Sequence, residues 1–237
     1  MIDFHSHILP AIDDGSKNVE ESVQLLQMLK SQGVNTVVAT PHFYANHHTP
    51  SEFLQKRRDA YDRLTKVWTE QSPQILLGAE VRYYEGISRM QELSSLCIEG
   101  TKLLLLEMPF ARWTEYAVSE LVHLASTGKV VVLLAHVERY FSFQSADVWK
   151  RLIENGIIMQ ANASFFAELK TRRKAIKLLK ERFIRLLGSD CHGVKMRSPQ
   201  MDKALQRIEK KLGGETVERL IRRGRFFMET YRLETKN

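Results

Sequence analysis

The chain has 237 residues, 43% hydrophobic and 27% charged, with a formal net charge of +7 and two cysteines. Its length suits one large domain over residues 1–237 or two small ones, and α/β barrels routinely use this length as one domain. No apolar run reaches the roughly 18 residues that span a bilayer, and Cys97 and Cys191 make no disulfide framework. Acidic Asp3 and His5 stand where a signal peptide needs a basic segment and an apolar run, so the expectation is a cytoplasmic protein without membrane insertion.

Short apolar runs rich in β-branched residues alternate with helical patterns along the chain. The first run, residues 2–5, ends in His5-Ser6-His7. Residues two apart on a strand share a face, so both imidazoles can reach one cation. A helix at 19–31 follows, with Val19, Val23, Leu26 and Leu29 on one face. Further strands are expected at 36–40, 74–80, 102–107, 130–136, 157–160 and 184–189. Helices are expected from 50 toward Trp68 and at 114–126, 146–154, 165–180, 201–212 and 216–223. Seven strands alternating with helices imply parallel pairing with right-handed crossovers.

The polar residues choose between an open sheet and a barrel. Six of the seven runs finish on or next to His, Asp or Glu: His5 and His7, His42, Glu80, Glu107, His136, then Asp190 and His192. In a parallel barrel the carboxyl ends of all strands meet at one mouth, where catalytic residues gather. An open sheet draws its crevice from fewer strands. With Asp14 in a turn before Gly15, the set holds five histidines and four acids, more than one ion needs. Mixed nitrogen and oxygen ligands suit two or three divalent cations. Manganese, iron and zinc all fit, and clustered metals are the usual machinery of phosphate ester hydrolysis. Arg139 and Arg197, in the loops leaving the fifth and seventh strands, are placed to bind a phosphoryl group. His47, His48 and His123 lack the strand-end context and read as surface residues.

The basic charge is concentrated at 170–185, with eight Lys or Arg and one Glu, and at 219–225, with four arginines. These stretches read as solvated helix faces or as a docking surface for something acidic. Aromatic interleaving is absent from them, which argues against a nucleic-acid reader.

The order His5-x-His7, Asp14, His42, Glu80, Glu107, His136 and Asp190-x-His192 resembles the PHP family, named for polymerase and histidinol phosphatase domains. The opening Met-Ile-Asp-Phe-His-Ser-His, Asp13-Asp14-Gly15 and His136-Val-Glu-Arg-Tyr140 are similar to the capsule-associated bacterial tyrosine phosphatases of that family. Glu107, acidic where several other branches place a histidine, points the same way. The resemblance implies a distorted (β/α)7 barrel of the PHP type. It also implies manganese dependence and a phosphotyrosine protein as substrate, a bacterial tyrosine kinase that regulates extracellular polysaccharide synthesis. It would give one metal His5, His7, Glu80 and Asp190, a second Asp14, His42 and His192, and a third Glu80, Glu107 and His136. Arg139 and Arg197 stand where the family has arginines that contact phosphate. The expected chemistry is direct attack by a metal-bridging hydroxide. Phe43, Tyr44, Tyr140 and Phe166 are the aromatics considered for packing on the substrate ring.

Three rivals stay open at this point. Cys191 to Ser198 fits the Cys-x5-Arg-Ser pattern of thiol phosphatases. The same metals could serve a small phosphomonoester such as histidinol phosphate. A non-catalytic, metal-stabilised module could hold nucleic acid or an acidic tail.

Overall fold

The computed structural model describes residues 1–71 and 73–233. Each expected strand is present, but the second and third are each broken in two. β1 (Ile2–Ser6), β2 (Thr36–Ala39) and β4 (Gln74–Leu77) form one parallel sheet. β3 (His42–Phe43), β5 (Glu80–Arg82), β6 (Leu103–Glu107), β7 (Val131–Leu134), β8 (Ile158–Asn162) and β9 (Ile184–Gly188) form a second. Pro41 explains one break, because it offers no N–H to a ladder. Its carbonyl still accepts from Glu80 N at 3.0 Å. Gly78 marks the other, with its carbonyl taken by Arg57 Nη1 at 2.6 Å. The breaks matter for the site: His42 and Glu80 open their strand segments rather than end them, and pair side by side in the β3–β5 register.

The last strand returns to the first. Asp190 N donates to His5 O at 2.7 Å and His7 N to Cys191 O at 3.0 Å, and a parallel bridge joins Ser6 to Cys191. Asp3, fully buried, adds a side-chain staple: its Oδ1 accepts from Ser189 N at 2.7 Å and His5 N at 3.2 Å. The result is a mixed α/β fold of parallel strands in which the last strand is bonded back to the first, in keeping with the distorted barrel that the resemblance implied.

Helices α1 (Val19–Ser31), α2 (Pro50–Thr65), α3 (Glu115–Ser126), α4 (Ala146–Glu154), α5 (Ala163–Ala167), α6 (Arg172–Lys180) and α7 (Met201–Leu212) follow the strands. α8 (Gly214–Thr230) closes the described chain. Capping explains the sharp starts. Thr49 and Glu52 make a reciprocal capping box with Pro50 at the first helical position of α2. Asn18, Thr114 and Ser145 each accept from a backbone N–H of the first turn. The single helix expected at 165–180 is two, because Glu168 takes an extended conformation and Thr171 Oγ1 bonds back to Phe165 O. α8 runs past the expected end at 223, because Gly224 is a packing residue there and not a stop. A Cβ at Gly224 would lie 3.1 Å from Phe4.

Two apolar clusters hold the barrel. The larger lies between strands and helices. The smaller fills the interior with alternate strand residues, including Phe4, Val38, Leu103, Leu105, Leu133 and Leu186. Phe227 of α8 joins this inner cluster and is 6% exposed. The basic residues of α6 face water, while Ala175 and Leu179 are buried. No helix among the described residues is long and apolar enough to cross a membrane.

Phe227→Ala should lower unfolding free energy by about 3 kcal/mol, as for other buried phenylalanines. Urea denaturation measures it, and a loss below about 1 kcal/mol would show that α8 does not anchor the inner core.

Candidate metal centre

The strand ends and the loops after them carry the polar side chains, and the backbone is shaped to crowd them together. His136, Asp190 and Arg197 take positive φ angles of 30°, 51° and 52°. Each is held in a region that non-glycine residues avoid, at about 1–3 kcal/mol apiece. Two glycines allow close approach. A Cβ at Gly188 would sit 2.5 Å from His5 Cβ, and one at Gly15 would sit 2.3 Å from His7 O.

All nine imidazoles and carboxylates expected to bind metal come together. His5 Nε2 and His7 Nε2 are 3.1 Å apart, and each lies 3.2 Å from Glu80 Oε2. Asp190 Oδ1 is 3.5 Å from the first and 3.6 Å from the second. Asp14 Oδ1 lies 3.4 Å from His42 Nε2 and 3.3 Å from His192 Nε2. His136 Nε2 lies 2.9 Å from Glu80 Oε1 and 3.4 Å from Glu107 Oε1. Grouping by mutual distance of ligand atoms gives His7, Asp14, His42 and His192; His5, His7 and Asp190; and His42, Glu80 and Glu107. His7 and His42 thus stand at the joints between neighbouring sets, beside Glu80.

The electrostatics call for cations. Burial opposes charge on Glu80 and Asp190, yet the histidines around them hold both well below the usual carboxylate range. Burial would lower His7 and His136, but hydrogen bonds to carboxylates override it. Asp13 and Glu80 lift His7 to about 10, and Glu107 and Glu80 lift His136 to about 9. His192 goes the other way, to about 4, through burial and the neighbouring His7. Nδ1 of His42, Nδ1 of His136 and Nε2 of His192 are buried without a hydrogen bond. Protons and divalent cations compete for such lone pairs, and the mixed imidazole and carboxylate donors fit a manganese, iron or zinc ion.

Arg139 and Arg197 both reach the mouth. Arg139 Nη2 donates to Asp190 Oδ2 and Arg197 Nη2 to Asp190 Oδ1, the latter at 2.7 Å. Arg82 is a third cation there, with Nη1 2.6 Å from Glu107 Oε2; strand alternation alone did not single it out.

Other supporting residues also escaped the sequence reading. Asp13 Oδ2 bonds His7 Nδ1 at 2.7 Å and accepts from His42 N at 3.0 Å. Gln160 Oε1 accepts from His136 N at 2.8 Å. Asn162 Nδ2 donates to Asp190 Oδ2 at 2.7 Å. β8, the one of the seven expected runs not followed by an acid or histidine, contributes amides that hold its neighbours' ligands. The signal was available in the polar Gln160 and Asn162 alternating on an otherwise apolar strand. His47 and His123 are exposed and His48 half-buried, as expected of surface residues.

Two readings are corrected. Cys191 is fully buried beside the Ser6 bridge, and burial pushes its thiol far above the ordinary range. It cannot serve as an accessible thiolate nucleophile. Phe43, Tyr140 and Phe166 are fully buried core residues and offer no face to a substrate ring. The large exposed aromatic near the cluster is Phe110, 43% exposed and 5.7 Å from the His136 ring.

A parallel α/β barrel with a packed imidazole and carboxylate cluster at its mouth is the architecture of metal-dependent hydrolases. The chain belongs to the CpsB/CapC family of capsular polysaccharide synthesis, which it matches over residues 1–225. It is 31% identical to tyrosine-protein phosphatase YwqE of Bacillus subtilis, covering 91% of this chain and 86% of that one. It is 31% identical to tyrosine-protein phosphatase CpsB of Streptococcus pneumoniae, covering 93% and 94%. A crystal structure from work on those same two proteins, described as unique metal-dependent tyrosine phosphatases, superimposes with a TM-score of 0.84. The identity there is 27%, covering 99% of this chain and 96% of that one.

Asp13→Asn should weaken metal binding by about 10–100-fold, because it loosens the Asp13–His7 bond that orients the ring. A metal titration of the folded variant checks this; wild-type affinity would exclude an orienting role for Asp13.

Proposed function

We propose that the protein is a metal-dependent protein-tyrosine phosphatase acting in the control of capsular or extracellular polysaccharide synthesis. The observation that carries the reading is the convergence of nine imidazole and carboxylate groups with Arg82, Arg139 and Arg197 at one mouth. Family membership and the names of the relatives support it. The substrate we assign is a phosphotyrosine protein, a bacterial tyrosine kinase, met in the cytoplasm.

His5, His7, Glu80 and Asp190 would hold one ion, Asp14, His42 and His192 a second, and Glu80, Glu107 and His136 a third. We assign manganese to them. Bound divalent cations supply Lewis acidity, which lowers the pKa of water and offsets charge on phosphoryl oxygens. The chain's own part is orientation. Asp13, Gln160 and Asn162 fix His7, His136 and Asp190 by hydrogen bonds. A guanidinium has five N–H donors, and Arg139 and Arg197 keep others for the phosphate beyond those given to Asp190. Both are about one-third exposed or more, at 35% and 40%. Tyrosine leaves as a phenolate, whose conjugate acid has a pKa of about 10, so a strong general acid is not required. With Cys191 sealed in the core, the chain presents no thiol for a covalent phosphoenzyme.

Turnover of a phosphotyrosine peptide, phosphoserine and histidinol phosphate with added manganese tests the reading. The phosphotyrosine peptide should be the preferred substrate, and preference for either of the others would overturn the assignment. Chelation should abolish turnover, while Cys191→Ser should keep it; the opposite pair of results would restore the thiol mechanism. Arg139→Ala should lower kcat/KM about 100-fold or more, the loss typical of one charge-stabilising donor. Near wild-type kinetics would remove Arg139 from the mechanism.

A further inference from the structure

Phe110 is a large apolar side chain at a highly charged mouth. It stands three residues past Glu107, on the loop leaving β6. That loop is fixed on both sides of the ring. Met108 N donates to Tyr140 Oη at 3.0 Å, and Trp113 Nε1 donates to Pro109 O at 3.0 Å. The ring stacks on Tyr140 with centroids 5.7 Å apart and planes 22° apart. The guanidinium carbons of Arg82 and Arg139 lie 5.4 and 5.8 Å from its centroid. Arg82 and Arg139 thus border the ring while each is anchored by a carboxylate, Glu107 and Asp190 respectively, and Arg139 is one of the groups assigned to the phosphate.

We propose that Phe110 is the aryl-recognition residue of the site, packing on the phenyl ring of phosphotyrosine while the adjacent Arg139 binds the phosphate. This rests on the phosphotyrosine reading above. A single bridging oxygen joins the tyrosine ring to phosphorus. A phosphate held by Arg139 and the cluster therefore delivers its ring to the immediate surroundings of Arg139 and His136, which is where Phe110 stands. An apolar face rimmed by charge marks a binding surface, and aromatic pairs add stabilisation beyond the area they bury. Phe43, Tyr140 and Phe166 are sealed in the core, and Tyr44, half-buried, stacks on His42 at 5.3 Å. Phe110 alone among these combines exposure with contact to a phosphate-assigned arginine. Selection of aryl over alkyl phosphates follows from it, since a serine phosphate has no ring to stack.

The test compares wild type, Phe110→Ala, Phe110→Leu and Phe110→Trp in two measurements. One is kcat and KM for a phosphotyrosine peptide. The other is the competitive inhibition constant of inorganic phosphate, which occupies the phosphate position without a ring. Phe110→Ala should raise the peptide KM about 3–10-fold, with the phosphate constant and melting temperature unchanged. Phe110→Leu should show an intermediate rise, and Phe110→Trp should keep a low KM. An unchanged KM in Phe110→Ala overturns the proposal. So does an equal rise in KM and in the phosphate constant, which would mean that Phe110 only props the cluster. A wild type that fails to hydrolyse the phosphotyrosine peptide overturns the functional reading itself, and that failure is visible before any variant is made.

Discussion

Glu80 is 1% exposed, and four histidines crowd its two carboxylate oxygens: His5, His7 and His42 at 3.1–3.2 Å from Oε2, and His136 at 2.9 Å from Oε1. A buried carboxylate costs several kcal/mol unless opposite charge offsets it. The offset here must come from groups that also sit in the dry mouth, so imidazoles are gathered from β1, β3 and the loop after β7. Those imidazoles in turn need orientation, which Asp13 supplies to the His7 ring and Gln160 to the His5 ring. The rest of the mouth follows from the requirement that this one carboxylate stay ionised.

The fold meets that requirement by separating two tasks. The inner apolar cluster, from Phe4 to Phe227, fills the lower barrel. The mouth above it is polar, crowded and locally strained, with left-handed backbone at His136, Asp190 and Arg197. Asp3 lies at the boundary. It is buried, raised to about 6 mainly by burial, and staples β1 to β9 directly beneath His5 and Asp190. The seam between first and last strands is thus made by the two short stretches of chain that deliver four of the proposed ligands, His5, His7, Asp190 and His192.

Much of this was legible in the sequence because strand ends are easy to read. An apolar run followed at once by His, Glu or Asp carries its meaning in adjacent residues, and His5, Glu107, His136 and Asp190 lie within two residues of their observed strand ends. The breaks at Pro41 and Gly78 were less legible, although both residues disrupt ladders. Without them His42 and Glu80 seem to finish long strands, whereas they begin short ones that pair with each other. Residues that act through a neighbour left the faintest trace. Gln160 and Asn162 look like interruptions of an apolar strand until their bonds to His136 and Asp190 are seen. Phe110 was invisible for a different reason: exposure of an aromatic depends on how Pro109 and Trp113 set the loop, and no local pattern records that.

The central claim is that Glu80 ties together a centre of more than one cation. Elemental analysis of purified wild type and Glu80→Gln, with melting temperature as a check on folding, tests it most directly. The account predicts at least two divalent ions per wild-type chain and loss of more than one of them in the folded variant. A single ion in the wild type, or the same metal content in both proteins, would contradict it.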